Sequence, residues 1–144
     1  MSQPSWALVA LILVAPSPRA AASTGANLIG TRVVDIDGNV HQLGMGELRP
    51  VGPVALVFMD PGCPVAQRYG PRLVEIAALA AEEGVEFFGV ISDPTVSAAE
   101  ARAFRSQAEL EFPILFDASG DLAERLGPTH VPEAFVVNKT DRVV

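Results

Sequence analysis

The run Val54-Ala55-Leu56-Val57-Phe58-Met59 leads directly into Asp60-Pro61-Gly62-Cys63-Pro64-Val65-Ala66-Gln67-Arg68-Tyr69-Gly70-Pro71-Arg72-Leu73, and this stretch decides the reading of the chain. Six apolar residues between Pro53 and Asp60-Pro61-Gly62 predict a buried strand. A helix is expected directly after it, because Pro64 suits the first helical position, where its missing N–H has no bond to lose. Cys63 then stands at the cap. A thiol there faces unpaired backbone N–H groups and the positive end of the helix dipole, surroundings that favour its anion. The chain thus presents one sulfur on a strand–turn–helix, and it is the only cysteine in 144 residues.

Working outward, Val65, Tyr69, Leu73, Ile76 and Ala80 recur at helical spacing and predict one apolar face, with Pro71 kinking the helix and Gly84 ending it. Upstream, Asp37-Gly38-Asn39 between Val33-Val34-Asp35-Ile36 and Val40-His41-Gln42-Leu43 predicts a β-hairpin, since Gly takes a positive φ freely. A short turn is expected at Glu47-Leu48-Arg49. Downstream, residues 85–91 read as a second buried strand. Ser97-Ala98-Ala99-Glu100 is a capping box that opens a helix with Ala101, Phe104 and Ala108 inward. Further strands are expected at 112–116 and 133–137, a short helix at 121–126, and the start of another strand at 142–144. Tyr69 and Phe104 read as core. Strands alternating with helices predict an α/β fold, a sheet with helices on both faces.

The length suggests one domain and the 49% apolar content a folded one. Ten basic against seventeen acidic residues give a net charge of −7, and no Lys/Arg cluster offers a phosphate-binding face, which argues against nucleic acid as a partner. Trp6 to Ala15 is a ten-residue apolar run, followed by Ala20-Ala21-Ala22. It reads as a signal peptide over residues 1–22, although residues 1–5 lack a basic side chain. It is too short for a permanent membrane span. Export to a periplasmic or extracellular compartment is therefore expected, with residues 23–30 a flexible lead-in and 31–144 the domain. In such a compartment Cys63 has no partner within the chain. It is a buried structural thiol, a reactive thiol that uses an outside partner, or a remnant. One cysteine and two separated histidines, His41 and His130, offer no metal site of acceptable spacing, and no cofactor is expected.

Cys63 at a strand-to-helix junction, Pro71 eight residues on, Val131-Pro132 before a late strand and the Asp37-Gly38 hairpin together resemble the thioredoxin-like fold. Within that fold the chain is similar to the redoxins, the alkyl hydroperoxide reductase/thiol-specific antioxidant family. The resemblance implies a three-layer sandwich with an N-terminal hairpin, whose last strand and terminal helix fall beyond Val144. It also implies a nucleophilic Cys63 and a cis-proline at Pro132 that presents the Val131 backbone. Gly62, Pro64 and Val65 would supply the turn, and Arg68 and His130 are candidates for positive potential or a base. The departures are Ala66 and Gln67, where relatives carry a second cysteine. Asp60 replaces the Thr or Ser of peroxidases, and Val57 replaces the buried acid of many thioredoxins. The expected activity is thiol-dependent oxidoreduction through Cys63 on a peroxide or disulfide, with a protein or small thiol as external reductant. A non-catalytic thioredoxin-like binding or accessory domain, or a fragment of a longer chain, is the alternative.

Overall fold

The computed structural model describes residues 26–45 and 52–144. The expected signal peptide at 1–22 and the turn at Glu47-Leu48-Arg49 lie outside them. The elements run β1 (Arg32–Val34), β2 (Val40–Gln42), β3 (Val54–Phe58), α1 (Pro64–Glu82), β4 (Glu86–Ile91), α2 (Ala98–Gln107), β5 (Ile114–Phe116), α3 (Asp121–Leu126) and β6 (Glu133–Val137). The main sheet has the order β5-β4-β3-β6; β4 is parallel to both β3 and β5, and β6 is antiparallel to β3.

β3 sits inside the sheet and is buried on both faces, which is why its sequence is continuously apolar rather than alternating. Val54, Leu56 and Phe58 face a core with Leu28, Leu43, Leu122 and Leu126, while Val57 and Met59 face one built by α1 and α2. The helices therefore lie on both sides of the sheet. The α2 capping box forms as expected, with Ser97 and Glu100 each bonded to the other's backbone N–H, and Ala101 and Phe104 are buried.

The inward face of α1 is not the one the hydropathy pattern suggests. Ala66, Gly70 and Leu73 are buried, with Val74 and Ala77 packed beside them, whereas Val65 is 40%, Tyr69 51% and Ile76 38% exposed. The reason is distance: a Cβ on Gly70 would stand 2.5 Å from the carbonyl oxygen of Ala108 at the end of α2. Two backbones this close admit only small side chains, so residue volume selects the face. Tyr69 is thus a surface residue, whereas Phe104 is core.

The hairpin reaches the sheet through its own continuation. Gly38 takes φ 89° at the turn, and the Ile36 N–H then donates to the carbonyl of Ile114, 2.9 Å, on the outer edge of β5. Arg102 bonds the Ile36 carbonyl and Arg105 forks onto Asp37, fixing hairpin to α2. The described part of the lead-in, residues 26–30, is also fixed. Ala26 and Leu28 are buried, the Leu28 N–H donates to the Asp141 carboxylate at 2.7 Å, and Ala26 N–H to the Asp141 carbonyl at 2.9 Å. Leu28 fills the core beneath α3, which outweighs the small, polar composition around it. Beyond β6 the chain turns back, and Val144 N–H donates to the Val136 carbonyl.

Candidate active site

Cys63 is the N-cap of α1, in extended conformation (φ −89°, ψ 112°), and it is half-buried. Its sulfur lies 3.7 Å from the carbonyl oxygen of Val131, which a cis Val131–Pro132 bond carries into the site from the β6 side. Residues 68 positions apart in sequence thus meet because β3 and β6 are neighbours, with Phe58 registered against Glu133. Beside them a cleft of about 280 Å³ is lined by Phe58, Met59, Asp60, Ser92, Asp93, Pro128, Thr129, His130 and Val131.

The turn before the thiol is internally bonded. Gly62 N–H donates to the Asp60 carboxylate at 2.6 Å, Cys63 N–H to the Asp60 carbonyl at 3.0 Å, and the Gln67 amide to the Pro61 carbonyl at 3.0 Å. Gly62 therefore has no N–H left for an anion, and Pro64 has none to give. The first donors without an intrahelical acceptor are those of Val65 and Ala66. No acidic residue stands in the first turn of α1 to oppose that end of the dipole.

Among the described residues none of the other candidates bonds the sulfur. Arg68 is exposed; Arg72 is exposed too and pairs with Glu75 at 2.7 Å along its own helix. His130 is exposed, with Nδ1 3.0 Å from the Thr129 hydroxyl and 3.6 Å from Glu133, so its contacts lie within its own loop. His41 belongs to the hairpin and bonds Asp35 at 2.8 Å.

The AhpC/TSA family profile matches residues 27–144. The chain belongs to the AhpC/TSA family. Two curated relatives, thiol-disulfide oxidoreductases ResA of Bacillus thuringiensis subsp. konkukian and of Bacillus cereus, are each 26% identical over 112 residues, 78% of this chain. The chain spans 62% of the length of these relatives. A secreted Mycobacterium tuberculosis disulfide oxidoreductase homologous to E. coli DsbE superposes with a TM-score of 0.66 at 22% identity, covering 82% of this chain and 83% of its own. The peroxidoxin BcpB from the same organism superposes with a TM-score of 0.60 at 22% identity, covering 78% and 77%. At these identities the two structures establish a shared thioredoxin-like fold.

In this AhpC/TSA member Ala66 is fully buried and Gln67 is tied to the turn. Two side chains near the site carry no sequence signal. Asp93 lines the cleft. Glu133 accepts from the backbone of Thr129 and His130. A carboxylate that reaches back over a preceding loop follows no fixed spacing, unlike a helix cap. Among the described residues no group of three or more His, Cys, Asp and Glu converges as a metal site, and no helix is long and apolar enough to cross a membrane.

Proposed function

We propose that the chain is a thiol–disulfide oxidoreductase that acts through the single thiol of Cys63 and takes an external thiol to complete its cycle. The observation that supports this most is the half-buried sulfur at the α1 N-terminus, 3.7 Å from the Val131 carbonyl. The Cys63 thiolate attacks one sulfur of a substrate disulfide and forms a mixed disulfide. The other sulfur leaves as a thiolate and takes a proton from solvent. A second thiolate, from a protein or a small thiol, then attacks the substrate sulfur and releases Cys63. Electrons and protons balance with no further reductant. The N–H groups of Val65 and Ala66, which have no intrahelical acceptor, are the donors available to the charge that moves through the sulfur, and Pro132 holds the Val131 backbone for an incoming chain.

Disulfides are favoured over peroxide because Asp60 stands where peroxide-reducing relatives are expected to carry a hydroxyl, and its carboxylate is engaged by Gly62. Export belongs to the same proposal. It is supported by the apolar run ending at Ala15 and by the likeness to a secreted disulfide oxidoreductase, and an isolated chain beginning at Ser23 is its expected mark. The test of the chemistry is mass spectrometry after incubation with glutathione disulfide. One glutathione per chain is expected, released by added thiol and absent in Cys63→Ser. An adduct that forms no faster than on free cysteine would sink the catalytic reading. Sulfenic acid at substoichiometric peroxide would transfer it to peroxide.

A further inference from the structure

The loop that brings Val131 to the sulfur has little backbone support of its own. Among the described residues, none from 128 to 132 takes part in a backbone–backbone hydrogen bond of a turn or loop. Its tether is a side chain. Glu133 opens β6, and instead of extending into solvent its carboxylate folds back over the preceding loop, leaving the side chain 23% exposed. One oxygen, Oε2, accepts from Thr129 N–H at 2.6 Å, from His130 N–H at 3.3 Å and from the Thr129 hydroxyl at 3.4 Å. The backbone bond from Thr129 leads the effects that hold this carboxyl below its ordinary range.

We infer that Glu133 is a positioning residue of the exchange site: its carboxylate clamps residues 129–130 and so keeps the Val131 carbonyl against the Cys63 sulfur. This rests on the proposed exchange activity. It assigns Glu133 a part that neither the thiol chemistry nor the fold requires, because the β6 register with β3 is held by backbone bonds whatever side chain stands at 133. The clamp acts chiefly on substrates that align along the Val131 backbone; because the Val131 carbonyl also accepts the Cys63 S–H, its release changes the sulfur's own reactivity only slightly. Peptide disulfides are therefore the substrate class that should sense it.

The experiment compares Glu133→Ala and Glu133→Gln on two reagents. One is a short peptide whose cysteine is blocked as a mixed disulfide with thionitrobenzoate, and the other is iodoacetamide. Glu133→Ala is expected to lose roughly tenfold in kcat/KM on the peptide, the scale of a small misplacement of reacting groups, while alkylation of Cys63 stays within about twofold. Glu133→Gln keeps an oxygen acceptor and should recover to within about threefold of the parent. Parallel amide hydrogen exchange should show Thr129 and His130 losing protection in the Ala variant and keeping it in the Gln variant. If the parent protein fails on the peptide, the exchange activity is refuted and the amide protection alone decides the clamp. An Ala variant with parental peptide kinetics or parental protection overturns the clamp, as does a Gln variant no better than Ala.

Discussion

Asp35 and Asp60 begin from the same local device and end in different roles. Each follows or ends a β segment, and each accepts the N–H of the residue two positions on, Asp37 at 2.9 Å and Gly62 at 2.6 Å. Asp35 then gathers Asn39 N–H at 2.8 Å, the Asn39 amide at 3.0 Å and His41 Nε2 at 2.8 Å, and it is buried. Asp60 gains no further side-chain bond among the described residues and stays half-exposed. The first turn anchors the hairpin to the sheet edge and to α2. The second is tied just enough to present a thiol. Stability is concentrated where chemistry is absent, and the reactive turn is lightly held.

The comparison breaks most visibly at Asp35. Asp35→Ala strands several partly buried donors at once, and a loss of about 3 kcal/mol in denaturant unfolding is expected, with disulfide exchange per folded molecule unchanged. A loss below about 1 kcal/mol would mean that the hairpin is an ornament rather than an anchor. The same carboxylate sets an acid limit. Burial raises its pKa, but bonds from His41, Asn39 and Asp37 outweigh that effect and bring it from 3.8 to about 2. The folded value lies below the unfolded one, so the contribution is complete above pH 3.8 and disappears as pH falls through about 2. That lowering corresponds to about 2 kcal/mol, and Asp35→Asn should remove this part of the acid dependence.

Much of this architecture was legible because it is local. The capping box at Ser97, the short helix at 121–126 and the β6 strand follow from spacing and turn residues alone. The α1 face was not, because hydropathy ranked Val65, Tyr69 and Ile76 above Ala66 and Gly70. The approach of the Ala108 carbonyl, which reversed that ranking, depends on tertiary packing. Leu28 misled for a similar reason: the stretch around it is mostly small or polar, and both the core beneath α3 and the turn at Asp141 that hold it come from tertiary packing. At the site, Cys63 and Val131-Pro132 stand out by residue type. The Asp60–Gly62 bond is a local turn that an Asp two residues before a Gly allows, whereas the reach of Glu133 over its loop depends on side-chain direction, which no spacing encodes.

A third aspartate lies between the two extremes and sharpens the scale. Helix α3 begins after Gly120, in left-handed conformation (φ 77°) and without a capping side chain. Asp117 substitutes from three residues earlier. It is buried and accepts Leu122 N–H at 3.1 Å, Ala123 N–H at 3.0 Å and the Ser92 hydroxyl at 2.8 Å. Asp117→Ala is expected to cost about 1.5 kcal/mol in unfolding, the upper part of the range for a lost cap. Because Ser92 also lines the cleft beside Cys63, a modest change in exchange rate should accompany it. Asp35→Ala should show none.

The smallest effect is expected at Asp60 itself, and its sign is informative. Asp60→Asn keeps an oxygen for Gly62 N–H and removes only the charge, so the turn survives and stability should move by less than about 0.5 kcal/mol. A carboxylate three residues before a thiol opposes the build-up of negative charge on sulfur, and solvent around a half-exposed group screens most of that opposition. Alkylation of Cys63 by iodoacetamide should therefore accelerate, by less than about threefold, and more at low salt than at high. Asp60→Ala differs in one respect: it also frees the Gly62 N–H. If that donor then turns toward the sulfur, Ala should exceed Asn in alkylation rate. Equal rates would mean that only the charge matters and that the turn is already locked by the Cys63 and Gln67 bonds. A slower rate in both variants would show that Asp60 supports the thiol, and the contrast with Asp35 would then collapse into two anchors.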